Sequence, residues 1–342
     1  MKLSTLVTCL GVIGATGCGT TTPAFIGYNE PPFVAQLRTQ SKLVYPTESI
    51  RGGVRRLTGL HLFGASDGAF STLTNAQGIE ELEFEATDLR TVAFGEIGKL
   101  SSLKTLTAIN CQLLPEQLAG IQNLTNLESL ELMFTVLEGP AESRVKLLGE
   151  LSSEEKQTWD TLKRSGVYDN VIQAALLTDR AMPYLSKLTK LKKLDLINTY
   201  ISAEGLKQLK DLANLEVAHL GPMGLAAETV APLQGMTRLR SLEYFNANDG
   251  IVDALSKITS LEHLNIWSGD VTDTGVGRLV NLKKLQRLEI RGNKMTDQGL
   301  QQLKALPDLK YLDLSYAEKV TTNGIAQFLK LRPDVEIKYV QK

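Results

Sequence analysis

The sequence predicts an α/β solenoid, with a parallel β-sheet on its concave face and short helices on its convex face. Three observations carry this. The motif L-x-x-L-x-L recurs at spacings of 22 or 24 residues. Inside each motif the last apolar residues alternate with polar ones, the period of a strand with one buried face. Later in each repeat a polar pair such as Thr296-Asp297 opens a short Gly- and Leu-containing run, a helix start signal.

The chain has 342 residues, 43% hydrophobic and 22% charged, enough to bury a substantial core. A formal net charge of −1 gives no reason to expect a nucleic-acid partner, which usually demands a basic face. Residues 1–17 read as a secretion signal: Lys2, then a mostly apolar Leu3 to Ile13 too short to span a bilayer. Ala15-Thr16-Gly17-Cys18 resembles the lipobox of bacterial lipoproteins, which implies lipidation of Cys18 and a membrane anchor; an ordinary cleaved signal is the alternative. Gly19 after Cys18 resembles outer-membrane or cell-surface sorting. Cys9 falls in the signal and Cys18 at the lipid site, so Cys111 is left alone and no intrachain disulfide is expected. Residues 18–50, with TTTP, Pro31-Pro32 and Tyr45-Pro46, show no helical or strand period and read as a tether meeting the first repeat at its C-terminal end.

The repeat domain occupies residues 51–342. Rungs start at Leu57, Ile79, Leu103 and Leu127, then at Leu191, Leu215, Leu239, Leu261, Leu285 and Leu309; Val335 to Tyr339 reads as a closing strand. No unit can bury its own leucines, so stacked neighbours must do it. Thr272-Asp273, Thr296-Asp297 and Thr178-Asp179 supply helix caps. Thr87, Thr135 and Thr199 fill an earlier Thr position, each followed by an apolar residue at Leu89, Leu137 and Ile201. Cys111, followed by Leu113, takes the same place.

These residues resemble the leucine-rich repeat family, in its bacterial form L-x-x-L-x-L-x-x-T-x-I-T-D-x-G-L. The resemblance implies a horseshoe-shaped solenoid used for recognition rather than catalysis, and a structural role for Cys111 under the turn. Leu127 and Leu191 are 64 residues apart. Two further periods leave 16 residues, so a degenerate repeat is expected from Val167, with Asn170 in place of a core Leu. The surplus falls at 138–166, where Val145, Leu147, Leu148, Leu151, Trp159 and Leu162 suggest amphipathic helices. Such an insertion either borders a binding surface or decorates the array neutrally.

No G-x-S-x-G, phosphate loop or H-E-x-x-H is present, and neither an enzyme activity nor a cofactor is assigned. What remains is the concave face. Its middle outward position runs His61, Glu83, Thr107, Glu131, Asp195, His219, Glu243, Asn265, Glu289, Asp313, a largely acidic ladder. It reads first as a solvated face and second as a docking stripe for a basic partner. Asp195, His219 and Glu243 share one position on successive rungs, where ordinary His–carboxylate bonding is expected over metal binding. A second stripe, just after each inner strand, is apolar: Phe63, Ile109, Met133 with Phe134 beside it, Ile197, Phe245 and Trp267. Glu85, Gly221 and Arg291 interrupt it, and Asn198 and Asn246 flank it. A binding patch, cover by the 138–166 insertion, or scattered exposure would each explain that stripe. Phe245 and Trp267 are expected to be near neighbours. The expectation is a non-catalytic module, anchored at the cell envelope, that binds a protein or surface polymer through its concave sheet. A secreted host-directed effector is the alternative that the resemblance allows.

Overall fold

A computed structural model describes residues 31–51, 54–90, 93–111, 113, 115–133, 179–197, 203–220, 227–245, 247–267 and 270–340. Among these, twelve strands form one sheet in sequence order. They are β1 (Leu43–Arg51), β2 (Val54–Phe63), β3 (Glu81–Glu85), β4 (Thr105–Ile109), β5 (Ser129–Met133) and β6 (Lys193–Leu196). β7 (Val217–Leu220), β8 (Ser241–Phe245), β9 (His263–Trp267), β10 (Arg287–Arg291), β11 (Tyr311–Asp313) and β12 (Glu336–Lys338) complete it. β1 runs antiparallel to β2, and every later neighbour is parallel.

Strand alternation does the sorting. In β10, Leu288 and Ile290 are buried while Arg287, Glu289 and Arg291 face outward. Register puts Leu60, Leu82, Leu106, Leu130, Leu194 and Ala218 in one inward row, which continues through Leu242, Leu264, Leu288 and Leu312. Each fully buried leucine contributes about 1.5–3 kcal/mol, but only where the neighbouring rungs close over it.

The return segments show why the repeat needs Thr, Asp and Gly together. Thr272, Thr296 and Thr321 cap the helices Asp273–Arg278, Asp297–Gln302 and Thr322–Leu331 through their side-chain oxygens. Each capping Thr is itself clamped by the Asp of the preceding repeat. Asp249 accepts the Thr272 N–H (2.8 Å) and O–H (2.6 Å). Asp273 accepts the same pair from Thr296, at 2.7 Å each. Asp297 does so for Thr321, at 2.8 and 2.6 Å. Glycine then clears the path: a Cβ on Gly275, Gly299 or Gly324 would run into the carboxylate of Asp249, Asp273 or Asp297 respectively. In the unit capped by Thr321 the Asp position is held by Thr322.

The segment expected as a tether instead carries the helix Pro32–Gln40 and β1, and Val34 and Leu37 bury into the core. The missing signal was length: one helical turn or two buries only these two residues, too few for a visible period. In the unit that carries β12 the Arg332 guanidinium donates to the carbonyls of Leu306 (2.6 Å) and Leu309 (2.8 Å), as the Ser260 hydroxyl does to the Leu239 carbonyl in an earlier rung.

The interruption is resolved differently from the sequence expectation. β5 pairs directly with β6, through Ser129 with Lys193, Leu130 with Leu194 and Glu131 with Asp195. Among the described residues no strand lies between them, so these two rungs are direct neighbours; the degenerate repeat expected from Val167 lies outside the described residues. Residues 138–166 lie outside the described residues. The chain leaves at the C-terminal end of β5 and is next described at Asp179, where a return segment packs behind the sheet. A second row of charges marks the same adjacency. Glu80, Lys104, Glu128, Lys192, Glu216, Arg240 and Glu262 alternate in sign on successive rungs, with ion pairs Lys104–Glu80 at 2.9 Å, Lys192–Glu128 at 2.8 Å and Arg240–Glu262 at 3.2 Å. A rung from Val167 would have put neutral Tyr168 into that row.

The clamp is testable by a double-mutant cycle. At an open helix position Gly→Ala gains up to about 1 kcal/mol. Gly324→Ala should instead cost about 1–3 kcal/mol, because the added methyl meets Asp297. Asp297→Ala should cost about 0.5–2 kcal/mol in denaturant unfolding. The double variant should be less destabilised than the sum by at least about 0.5 kcal/mol; strict additivity would mean that the glycine is there for another reason.

Candidate binding surface

The concave face is a grid whose columns are set by register. Its middle row runs His61, Glu83, Thr107, Glu131, Asp195, His219, Glu243, Asn265, Glu289, Asp313. Asp195, however, does not stand out as a solvated rung: it is 2% exposed. One oxygen accepts the Ile197 N–H at 3.1 Å, and the other bonds His219 Nδ1 at 2.8 Å. Asp313 repeats the device with the Ser315 N–H at 2.9 Å. An aspartate is short enough to fold back on the backbone two residues ahead, so alternation alone mislocates it.

The ladder is also less negative than its sequence reads, because cations stand in the adjacent columns. Lys193 pairs with Glu131 at 2.7 Å, and Arg287 with Glu289 at 2.7 Å. Arg291 bonds both Glu289 and Asp313, the latter at 3.0 Å, and Lys338 reaches Asp313 at 3.3 Å.

At the C-terminal strand ends, Phe245 and Trp267 are register partners, with parallel rings whose centres are 6.3 Å apart. Trp267 is 39% exposed. Arg291, which in the sequence interrupts the apolar stripe, extends it: its guanidinium lies 4.6 Å from the Trp267 ring centre. Phe245, Trp267 and Arg291 thus form one three-layer stack, locked from behind by Glu289 and buried Asp313. Arg287 covers Tyr311 in the same way, at 3.7 Å. Reading the arginines against the rung register, rather than as breaks in hydrophobicity, would have found both stacks.

Phe63, Ile109 and Ile197 stand partly exposed in the same strand-end row. Met133 is in register with Ile109. Phe134, Asn198, Gly221 and Asn246 lie outside the described residues, and with Gly221 the expected depression between Ile197 and Trp267. At the equivalent described positions, Gly64, Ala86, Asn110, Gly292 and Tyr316, the backbone is left-handed. Cys18 and the signal segment also lie outside the described residues.

Cys111 is fully buried, its Sγ 3.4 Å from the Ile109 carbonyl and 3.6 Å from that of Phe84. Burial pushes its thiol up to about 12, so it is a packing group rather than a nucleophile. Among the described residues no cluster of His, Cys, Asp or Glu is arranged to hold a metal ion, and no helix is long and apolar enough to cross a membrane.

Glu243 is half-buried opposite His219, and its carboxyl is raised above the usual range. Burial is the main cause; the His219 imidazole opposes it, Asp195 adds to it, and a hydrogen bond from Trp267 opposes it. The folded protein therefore takes up this proton more readily than the unfolded chain. Stability is lost as pH rises from the ordinary carboxylate value through the folded one. Glu243→Gln has no such loss. In thermal melts between about pH 4 and about pH 7, its midpoint relative to the wild type should climb with pH and then level off; a difference independent of pH would contradict this placement.

With the geometry in hand, comparison with known proteins is informative. A family model described as a leucine-rich repeat region matches residues 174–334. The crystal structure of an internalin (inlF) from Listeria monocytogenes is similar at 17% identity and a TM-score of 0.51, covering 91% of this chain and 87% of that one. An internalin C2 (inlC2) structure from the same organism matches at 14% identity and a TM-score of 0.38, covering 85% of this chain and 93% of that one. No curated protein matches. Repeat, sheet and family model agree that this chain folds as a leucine-rich repeat solenoid.

Proposed function

We propose that this protein is a non-catalytic recognition module, exported and held at the cell envelope through a lipid on Cys18, that binds a partner protein with its concave sheet. The Phe245–Trp267–Arg291 stack carries the reading. It is an apolar centre bounded by charged groups, the anatomy of a protein-recognition patch. Its side chains are already fixed by one another, so little rotamer entropy is lost on binding. Both faces of the Trp267 ring are occupied, by Phe245 and Arg291, which leaves an edge rather than a face to a ligand. That favours a protein over a glycan polymer, whose sugars would need a free ring face.

The test is capture of partner from solubilised envelopes by the immobilised protein, followed by titration of what is captured. Trp267→Ala and Phe245→Ala should each weaken binding by more than about 1 kcal/mol while the fold survives. Unfolding of both variants would make these rings core; full binding by both would put the partner elsewhere. In the same fractionation, Cys18→Ser should move the protein from membrane to soluble fractions, and wild-type protein without a diacylglyceryl mass increment would end the anchor.

A further inference from the structure

The carboxylates of the concave face divide into two groups. From β5 onward, Glu131, Glu289 and Asp313 each have a Lys or Arg against them, and Asp195 is hydrogen-bonded to His219 at 2.8 Å. At the N-terminal end, β3 presents Glu81, Glu83 and Glu85 at alternate positions, none of them buried. Among the described residues no Lys or Arg pairs with any of the three. The His61 imidazole lies 3.7 Å from Glu83 and 3.4 Å from Glu85, and its Nε2 is enclosed without a hydrogen-bond partner.

Beside this column the surface turns apolar. Leu43 is 50% and Tyr45 52% exposed, facing the same side from β1, and Phe63 is in register with Leu43 and Glu85. Tyr45 leans on His61, with ring centres 5.7 Å apart. Lys42 lies over the Phe63 ring at 6.0 Å and makes no ion pair with the column.

We infer that this N-terminal corner of the sheet is a docking surface for a basic, partly apolar protein segment. Alternate residues of a strand are about 6.8 Å apart, which is also the spacing of alternate side chains in an extended peptide. Lysines or arginines at every second position of such a segment meet Glu81, Glu83 and Glu85 in turn, and an apolar neighbour settles on Leu43 and Tyr45. Charge decides against the chain's own segments as occupant. Residues 1–30 hold one basic residue, Lys2, and residues 134–178 hold five basic against seven acidic. A second copy carries a formal −1 and offers no cationic complement as a whole. The inference rests on the recognition role proposed above and gives the partner its chemistry. The segment contacts the end of the sheet away from the Trp267 stack.

The probe is a fluorescein-labelled peptide containing Lys-Phe-Lys-Leu-Lys, with a Glu-for-Lys counterpart, titrated by anisotropy against the full chain. The basic peptide should bind, weaken between about 50 and about 300 mM salt, and lose at least about tenfold in affinity to the variant Glu81→Gln/Glu83→Gln/Glu85→Gln. The acidic peptide should not bind. An equal change of charge off the sheet, Glu204→Gln/Glu228→Gln/Glu318→Gln, should leave binding intact, as should Trp267→Ala. Melts check folding, and Leu43→Ala/Tyr45→Ala, at half-exposed positions, gives a second route to the same loss. No binding to the wild type, equal loss in the off-sheet variant, or unchanged affinity in the β3 variant would overturn the inference. Loss with Trp267→Ala alone would place the basic segment on the stack, refuting this corner while leaving the recognition role standing.

Discussion

A single rung of this protein has no inside. Its leucines point at the place where the next rung must be, and until that rung arrives they face water. At about 1.5–3 kcal/mol for each fully buried leucine, this one dependence outweighs the surface ion pairs along the array, which are worth at most about 1 kcal/mol each. Adjacency is therefore the condition for every other feature. The Asp249–Thr272, Asp273–Thr296 and Asp297–Thr321 clamps join one return helix to the next. At the N-terminal side of the array an antiparallel strand pairs with the first parallel strand, and a helix buries Val34 and Leu37 in the core.

The same stacking builds the binding surface. Residues 22 to 64 positions apart in the chain become lateral neighbours, so a stack such as Phe245, Trp267 and Arg291 forms without any local motif. It also sorts charge. Where a rung places Lys or Arg one position along its strand from a carboxylate, the acidic ladder is neutralised. Where β3 places Glu at all three outward positions, it is not. The concave face thus has two ends of different character, a rigid aromatic one and an acidic–apolar one. A partner with matching ends would bind in one orientation.

Much of this was legible in the residues. The period, the inward leucines, the capping threonines and the meeting of Phe245 with Trp267 all follow from counting, because stacking enforces strict periodicity. What was not legible breaks the period or depends on side-chain reach. Asp195 turns back to the Ile197 N–H, and no alternation rule sees that. Arg291 looked like an interruption because hydropathy does not register a guanidinium lying flat on an indole. The helix Pro32–Gln40 is too short to show amphipathicity. Counting periods did not bring out the direct pairing of β5 with β6, although the alternating charges of Glu128, Lys192 and Glu216 already pointed to contact between those rungs.

That contact is the point on which the account turns, since both surface rows run straight across it. Glu128→Cys and Lys192→Cys, with Cys9 and Cys18 changed to Ser and buried Cys111 left in place, test it in one step. Adjacent rungs put the two α-carbons within the roughly 4.4–6.8 Å that a disulfide spans, whereas an intervening strand would hold them about 10 Å apart. The account predicts rapid bridging under mild oxidation, seen as a linked peptide spanning positions 128 and 192. Failure to bridge, with a bridge instead between cysteines placed at 128 and 168, would contradict it.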